Sequence, residues 1–516
     1  MAKGLRVDEI RKRSFPLTST VALATMVFSP YALGAELRIV PEATVRTTYT
    51  DNVRLAPSGA EKGDFVTELA PGVSITADGP RLKLNLGYAM RFYNYANGTA
   101  GNRLQHDLDA GAKAELIEDL LFLDTTASVN QQNISPVGSQ ATSNISVTDN
   151  RTTVKTYLIS PYLRHNFGST ATSELRYTHS KVSADTALAT SQTDGISLSL
   201  NSGPAFRTLG WGISHSSQKI RLNDAQDADF SKSSLNLQYV VTPQFNLTAS
   251  TGYEKYNYST IIGDAAGPSY SGGFAWRPTE RTSIAASAGR RLYGSAYSLD
   301  TSLRSRQSVW RVKYAEDITT TQSQLVLPTT ISTSDFLNSL LLSRQPDAAL
   351  RQQEVDDFIA RTGLPPSLSQ PVNYFTNQIF LQKSLQASVA ITGAKNTVVL
   401  SVFDLLRDPQ VVANNAEGFV GINQTATTNT RQRGANALWT WKVTPLTNVN
   451  FNASYARTKF RTTGAEQDLK LVSVSMSKRF QPKLSGIVEV RHARQSSDVT
   501  GAYNENAIAA SVLMKF

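Results

Sequence analysis

The sequence predicts an all-β fold: a transmembrane antiparallel up-and-down β-barrel of about 22 strands, within a range of roughly 18–24. Three observations predict it. The last strand keeps one strongly apolar face to its end, through Ile508, Ala510, Val512, Met514 and Phe516. Short turns alternate with longer polar loops along the whole chain. Between them the apolar residues recur with a period of two, the period of a strand.

The terminal strand carries most weight. Lys515, Leu513, Ser511, Ala509 and Ala507 form its second, more mixed face. A terminal strand in a soluble domain is usually frayed or polar. In a closed barrel the last strand pairs with the first and turns its apolar face to lipid.

The N-terminus is predicted to be a signal peptide over 1–34. Arg11, Lys12 and Arg13 form a basic start, an apolar stretch follows from Phe15 to Phe28, and Ala32-Leu33-Gly34 is a small-x-small cleavage site. Residues 35–516 are predicted to form the barrel. Charged residues are 18% of the chain, against roughly 25% in soluble domains. No other stretch is apolar enough for a spanning helix. A barrel escapes that test, because its apolar residues occupy alternate positions. Cysteine is absent, which excludes thiol catalysis, thiolate metal sites and disulfides. The net charge is +10, and the first 34 residues hold five basic and two acidic side chains. Export excludes nucleic acid as a partner. The positive balance favours lipopolysaccharide phosphates, anionic glycans or anionic solutes.

Taken in order, the mature chain reads as strand pairs. Leu82, Leu84, Leu86, Tyr88 and Met90 alternate with Lys83, Asn85, Gly87, Ala89 and Arg91. Leu104, Leu108, Ala110, Ala112 and Ala114 alternate with Gln105, Asp107, Asp109, Lys113 and Glu115. The same holds at Leu235–Val241, Leu385–Ile391 and Val449–Tyr455. Short turns fall at Asp78-Gly79-Pro80, Glu118-Asp119, Thr242-Pro243-Gln244, Thr444-Pro445-Leu446 and Gln481-Pro482-Lys483. Longer polar loops fall at 131–150, 181–194, 221–231, 257–268, 408–430, 460–468 and 495–505. Short turns at the periplasmic rim and long loops outside are the asymmetry of an outer-membrane barrel. Aromatics near strand ends, at Tyr93, Tyr95, Phe167, Trp211, Phe245, Trp276, Trp439, Trp441 and Phe480, suggest interfacial girdles.

One segment breaks the pattern. Strand 304–314 is predicted to run toward the periplasm, as is 377–392, so an upward strand at Ile318–Leu327 is required between them. That places 328–375 outside the cell as a helical extracellular insert. Asp335–Arg344 suggests one helix. Asp347 suits an N-cap for a second over 348–361, closed by Gly363. Their apolar stripes predict that the insert folds over or into the barrel mouth.

Catalysis finds no support. His106, His179, His215 and His492 share the lipid-facing register. Neither they nor His165 accompany a hydrolase, zinc-protease or phosphate-loop motif. The chain is predicted not to be an enzyme and to need no cofactor or metal. The candidate site is the lumen. Its predicted charges are Lys83, Arg91, Asp107, Asp109, Lys113, Glu115, Arg311, Lys313, Arg479, Glu489 and Arg491. Arg91 should meet Asp107 or Asp109, and Arg479 should meet Glu489. Such charges act either as cross-strand ion pairs or as a path that orients a polar or anionic solute. A second basic set is predicted at the outer strand ends: Arg290, Arg291, Arg304, Arg306, Arg431, Arg433, Arg457, Lys459, Arg461 and Arg494.

Three stretches carry a resemblance: Val45-Arg46-Thr47-Thr48-Tyr49-Thr50-Asp51-Asn52-Val53, Tyr314-Ala315-Glu316-Asp317-Ile318-Thr319-Thr320-Thr321, and Gln378-Ile379-Phe380-Leu381-Gln382-Lys383. With them the chain resembles the outer-membrane β-barrel proteins encoded with exosortase (PEP-CTERM) and exopolysaccharide systems of Gram-negative bacteria. The resemblance implies a link to exopolysaccharide export or biosynthesis, and it brings no catalytic residues. The expected role is a pore or channel component in the bacterial outer membrane. The alternative is a non-conducting anchor or assembly partner for surface polymer. Expected partners are outer-membrane lipid and lipopolysaccharide, the barrel-assembly machinery, polysaccharide and export proteins.

Overall fold

A computed structural model of the chain describes residues 35–185, 190–222, 227–257, 265–326, 332–342, 345–347, 350–352, 354–355, 358–359, 379–410 and 429–516. The predicted signal peptide, Gly363 and most of the loop 408–430 lie outside the described residues.

Alternation makes the strands. They are β1 (Glu36–Thr50), β2 (Asp64–Asp78), β3 (Leu82–Tyr95), β4 (Arg103–Ile117), β5 (Leu121–Asn133), β6 (Arg151–Phe167), β7 (Ala171–Ala184), β8 (Ser191–Ser202), β9 (Leu209–Leu222), β10 (Ala228–Thr242) and β11 (Phe245–Asn257). The second half holds β12 (Ala265–Thr279), β13 (Thr282–Arg291), β14 (Gly294–Arg304), β15 (Ser308–Thr320), β16 (Ile379–Thr392), β17 (Asn396–Pro409), β18 (Thr430–Thr444), β19 (Thr447–Phe460), β20 (Glu466–Gln481), β21 (Leu484–Ser497) and β22 (Tyr503–Lys515). Each pairs antiparallel with the next. β22 closes on β1 through Tyr49↔Ile508 and Val45↔Val512, and the Phe516 amide donates to the Pro41 carbonyl at 2.9 Å. Closure leaves no sheet edge through the bilayer, so the backbone satisfies itself there.

The cross-strand register keeps one side chain of every two on the same wall. Val45, Leu69, Phe92, Ile159, Leu198, Ile213, Leu235, Leu247, Leu400, Val474, Val490, Ile508 and Val512 form an exposed apolar outer belt. Such a surface is stable only against lipid. The chain is an outer-membrane β-barrel. Phe167, Trp276, Trp310, Trp439, Trp441, Phe480 and Phe516 border the belt on the periplasmic side. Tyr93 and Tyr95 do not belong to the girdle. They face inward and are buried against Ile145 of the β5–β6 loop.

The strand assignment around the insert needs correction. β14 descends to Arg304, a tight turn at 305–307 follows, and β15 rises from Ser308. The Ser305 hydroxyl stabilises that turn by accepting from the amides of Gln307 and Ser308. The expected descending strand 304–314 is therefore the lower part of an ascending one. Arg304 and Arg306 sit at the periplasmic rim, not the outer one. Instead of a strand at 318–327, β15 ends at Thr320 and a short helix α1 (Thr321–Val326) begins.

The wall is also lower at one place. β13 and β14 have 10 and 11 residues, against 15 in β12 and 13 in β15. Pairing of β14 with β15 stops at Leu299↔Tyr314, while β15 and β16 stay paired to Thr320↔Ile379. Freed from β14, the top of this hairpin leans into the lumen. Ile318 and Ile379, on the face that meets lipid lower down, pack against Ile220, Ala228 and Tyr256 of the opposing inner wall.

Candidate functional site

Twenty-two strands at ~4.8 Å spacing and ~40° tilt enclose a ring roughly 40 Å across, too wide for wall side chains to fill. The chain fills much of it with three of its own segments.

The first is the insert. Helix α2 (Thr333–Leu341) starts where the Ser332 side chain accepts from the Asp335 amide. Residues 350–359 are helical at their described positions. Asp347 caps them, accepting from the Leu350 amide at 2.9 Å through its side chain. Phe336, Leu337, Leu340, Leu341 and Val355 pack against Val309, Ala390, Val399 and Leu438. These wall residues lie at the periplasmic ends of β15–β18. The insert is therefore not an extracellular one: its described helices enter the barrel, as their apolar stripes predict, and go deeper than the mouth. They descend through the lumen, because an apolar stripe finds no other dry surface. A small cleft remains beside them, lined by Leu340, Phe358 and Glu354 on one side and Thr397, Thr440 and Lys442 on the other.

The second is α1 with the leaning hairpin. Leu325 and Val326 reach Val154 and Val182 on β6 and β7. Gln324 bonds Gln382, and the buried Arg407 guanidinium donates to Gln324 and Gln382 at 3.1 and 3.3 Å. An ion cluster ties the hairpin to the wall beneath it. Arg291 donates to Glu254 at 2.8 Å and to Asp317 at 3.0 Å. Glu254 is fully buried and also accepts from Tyr256 at 3.0 Å, with Lys232 at 3.3 Å. In the β13–β14 turn, burial pushes the Tyr293 phenol up to about 12.

The third is the β5–β6 loop, which crosses inside the mouth to β20–β22. Ile145 packs with Val53, Val66 and Tyr93, and Ala141 with Leu55, Ala493 and Tyr503. Gln495 accepts from the Gln140 amide at 2.9 Å, and the Tyr503 hydroxyl donates to the Gln140 carbonyl at 2.7 Å. Gly501 (φ +86°) approaches this loop so closely that a Cβ there would lie 2.4 Å from the Gly138 carbonyl carbon.

By register, Lys83, Arg91, Asp107, Asp109, Lys113, Glu115, Arg311, Lys313, Arg479, Glu489 and Arg491 all lie on the inner wall. Arg91 is brought to Asp107 at 3.1 Å and to Glu68 at 2.6 Å. Glu489 meets Arg46 across the β22 seam at 2.8 Å, and not Arg479, which sits opposite Ser485 near the periplasmic turn. Arg491 pairs with buried Glu505 at 3.0 Å, and Arg311 lies 3.8 Å from Asp300. Lys83 and Lys113 oppose each other directly. Glu115 caps a periplasmic turn, accepting from the Asp119 amide at 2.6 Å.

The lumen thus has three sectors. The inner wall of β1–β7 carries paired charges. That of β15–β20 is largely covered, with Gln386, Ser388, Thr397, Ser401, Thr440, Asn450 and Ser477 buried. Among the described residues, the inner faces of β8, β9 and β12 carry no charge above Arg277 at the periplasmic end of β12: Ser197, Ser199, Asn201, Ser214, Ser216, Gln218, Ser269 and Ser271 line them. The outward histidines are partnered across strands: His106 with Tyr88, His179 with Asp194, His215 with Ser233 and His492 with Asn506.

No protein-family model and no curated protein matches the chain. Solved structures similar to it include the FrpB iron transporter from Neisseria meningitidis, 10% identical, covering 92% of this chain and 82% of that one at a TM-score of 0.49. The siderophore receptor PiuA from Acinetobacter baumannii is 10% identical over 93% of this chain and 82% of that one, with a TM-score of 0.48. PirA from Pseudomonas aeruginosa is 11% identical over 93% and 80%, with a TM-score of 0.45. What those proteins carry does not transfer to this chain.

Proposed function

We propose that this barrel is a conduit across the outer membrane, held shut at rest by its own insert, and that it serves exopolysaccharide export. The observation that carries the conduit reading is the helix pair seated inside the wall at the periplasmic end. A chain that needed only a membrane anchor has no use for so wide a ring. The uncharged hydroxyl and amide wall of β8, β9 and β12 gives a polar chain hydrogen-bond partners without trapping it electrostatically. The polysaccharide link rests on the family resemblance at 45–53, 314–321 and 378–383. Binding and transport, rather than catalysis, are the chemistry this lumen suits. Export proteins and the barrel-assembly machinery complete the reading as partners.

The apolar seat favours a second reading, a permanently closed anchor for surface polymer. Planar-bilayer recording separates the two. The conduit reading expects a quiet intact protein and steady conductance after deletion of 321–378. Silence in both, from protein that still shows heat-modifiable gel migration, sinks it.

A further inference from the structure

Outward-facing charges near the extracellular end are mostly balanced. Asp194 meets His179 and Arg221, Lys219 meets Asp227, and Lys155 meets Asp185. The wall from β17 to β21 is different. There the register sets like charges directly opposite each other three times: Arg431↔Lys459, Arg433↔Arg457 and Lys470↔Arg494. Side chains so placed stand about 5 Å apart at their Cβ atoms, and like charges at that spacing repel.

Three carboxylates answer six cations. Asp404 accepts from Arg431 at 2.6 Å and from Arg433 at 3.0 Å. Asp468 accepts from Arg457 at 2.7 Å, and Glu466 is shared by Arg457 at 3.2 Å and Lys459 at 3.1 Å. Lys470 and Arg494 have no carboxylate of their own among these. The side chains of Arg431, Arg433 and Arg457 remain 44–57% exposed. The height is set by Tyr455, an outward aromatic whose ring lies 6.0 Å from the Lys470 ammonium. The cluster therefore stands at the top of the apolar belt, on the outer wall and not in the lumen. It spans five strands, roughly 19 Å at the usual strand spacing.

We propose that this wall is a binding site for the phosphorylated headgroup of an outer-leaflet glycolipid. The excess positive charge asks for an anion. Only a membrane lipid presents phosphates at this height while its acyl chains cover the apolar belt below. The guanidiniums of Arg431 and Arg433, already held by Asp404, present their remaining N–H groups in fixed directions, which suits phosphate oxygens. The site is independent of what the lumen carries.

The test uses the full chain in detergent and measures binding of purified lipopolysaccharide, its dephosphorylated form and inorganic phosphate. Two double variants, Arg433→Gln with Arg457→Gln and Lys470→Gln with Arg494→Gln, should each weaken lipopolysaccharide binding at least tenfold. Arg290→Gln, an outward arginine outside the cluster, should leave it unchanged. The dephosphorylated lipid should fail to compete. Heat-modifiable migration certifies folding, and a folded member of either pair suffices. Equal binding by folded double variants, or by the dephosphorylated lipid, overturns the proposal. So does displacement by inorganic phosphate as readily as by lipopolysaccharide, which would mark a free-anion site.

Discussion

Replacing Leu337 and Leu340 by alanine removes two apolar contacts between the insert and the barrel wall. The two leucines are 2% and 6% exposed, packed toward Val309, Ala390, Val399 and Leu438. Burying a leucine fully and then truncating it costs about 2–5 kcal/mol. Here a cleft adjoins both leucines, so their side chains are not packed on every side and the lower end applies. Two truncations then weaken the seat by about 4 kcal/mol, a shift of roughly a thousandfold in the ratio of seated to released insert. Single-channel recording reads that ratio as open probability. The double variant should open in long bursts where the wild type stays closed. If the double variant is as quiet as the wild type while deletion of 321–378 conducts, the leucine seat does not hold the gate and the reasoning fails.

Other outcomes follow from the same geometry. Arg291→Met leaves Glu254 buried with only Lys232 and Tyr256 as partners, and should lower the unfolding temperature as a loss of about 3–5 kcal/mol would. Adding Glu254→Gln should restore much of that, and a double variant no better than the single one contradicts the ion-cluster account. Asp347→Ala removes the cap on the second helical segment, worth about 1 kcal/mol. It should speed protease cleavage within 345–359 without changing heat-modifiable migration. Gly501→Ala places a methyl against the Gly138 backbone and should release the β5–β6 loop, seen as faster labelling of a Gln140→Cys reporter. Unchanged labelling would show that the loop does not depend on that contact.

The sequence carried the barrel further than it carried the lumen. Period-two alternation was enough for the strand count and for the facing of the charges named for the lumen, because each strand reports its own two faces, but Glu68 and Glu505, their inner partners, were not named. The misplacement of 304–327 came from a short turn, Ser305-Arg306-Gln307, without the Gly or Pro that marked most of the others. Pairing across strands was less legible. Glu489 finds Arg46 over the closing seam, and its distance along the chain hides that contact. Tyr93 and Tyr95 resembled girdle residues because a strand end looks alike from either side of the wall. The inward β5–β6 loop did leave a signal: Ile134, Val137, Ile145 and Val147 are too apolar for a loop in water. The depth of the insert left none, since apolar helix stripes do not say which part of an inner wall they will meet.

Helices of the chain's own insert plug the barrel from within. The chain has no cysteine, so introduced pairs can be read without background. Leu340→Cys should be combined in turn with Val309→Cys, Ala390→Cys and Val399→Cys, and native membranes treated with a short bis-maleimide. Efficient internal cross-links are expected for these periplasmic-end positions, and none for Leu340→Cys with Ser197→Cys on the open wall. Failure of all three pairs, in protein whose single cysteines react with a small maleimide, would contradict the plug.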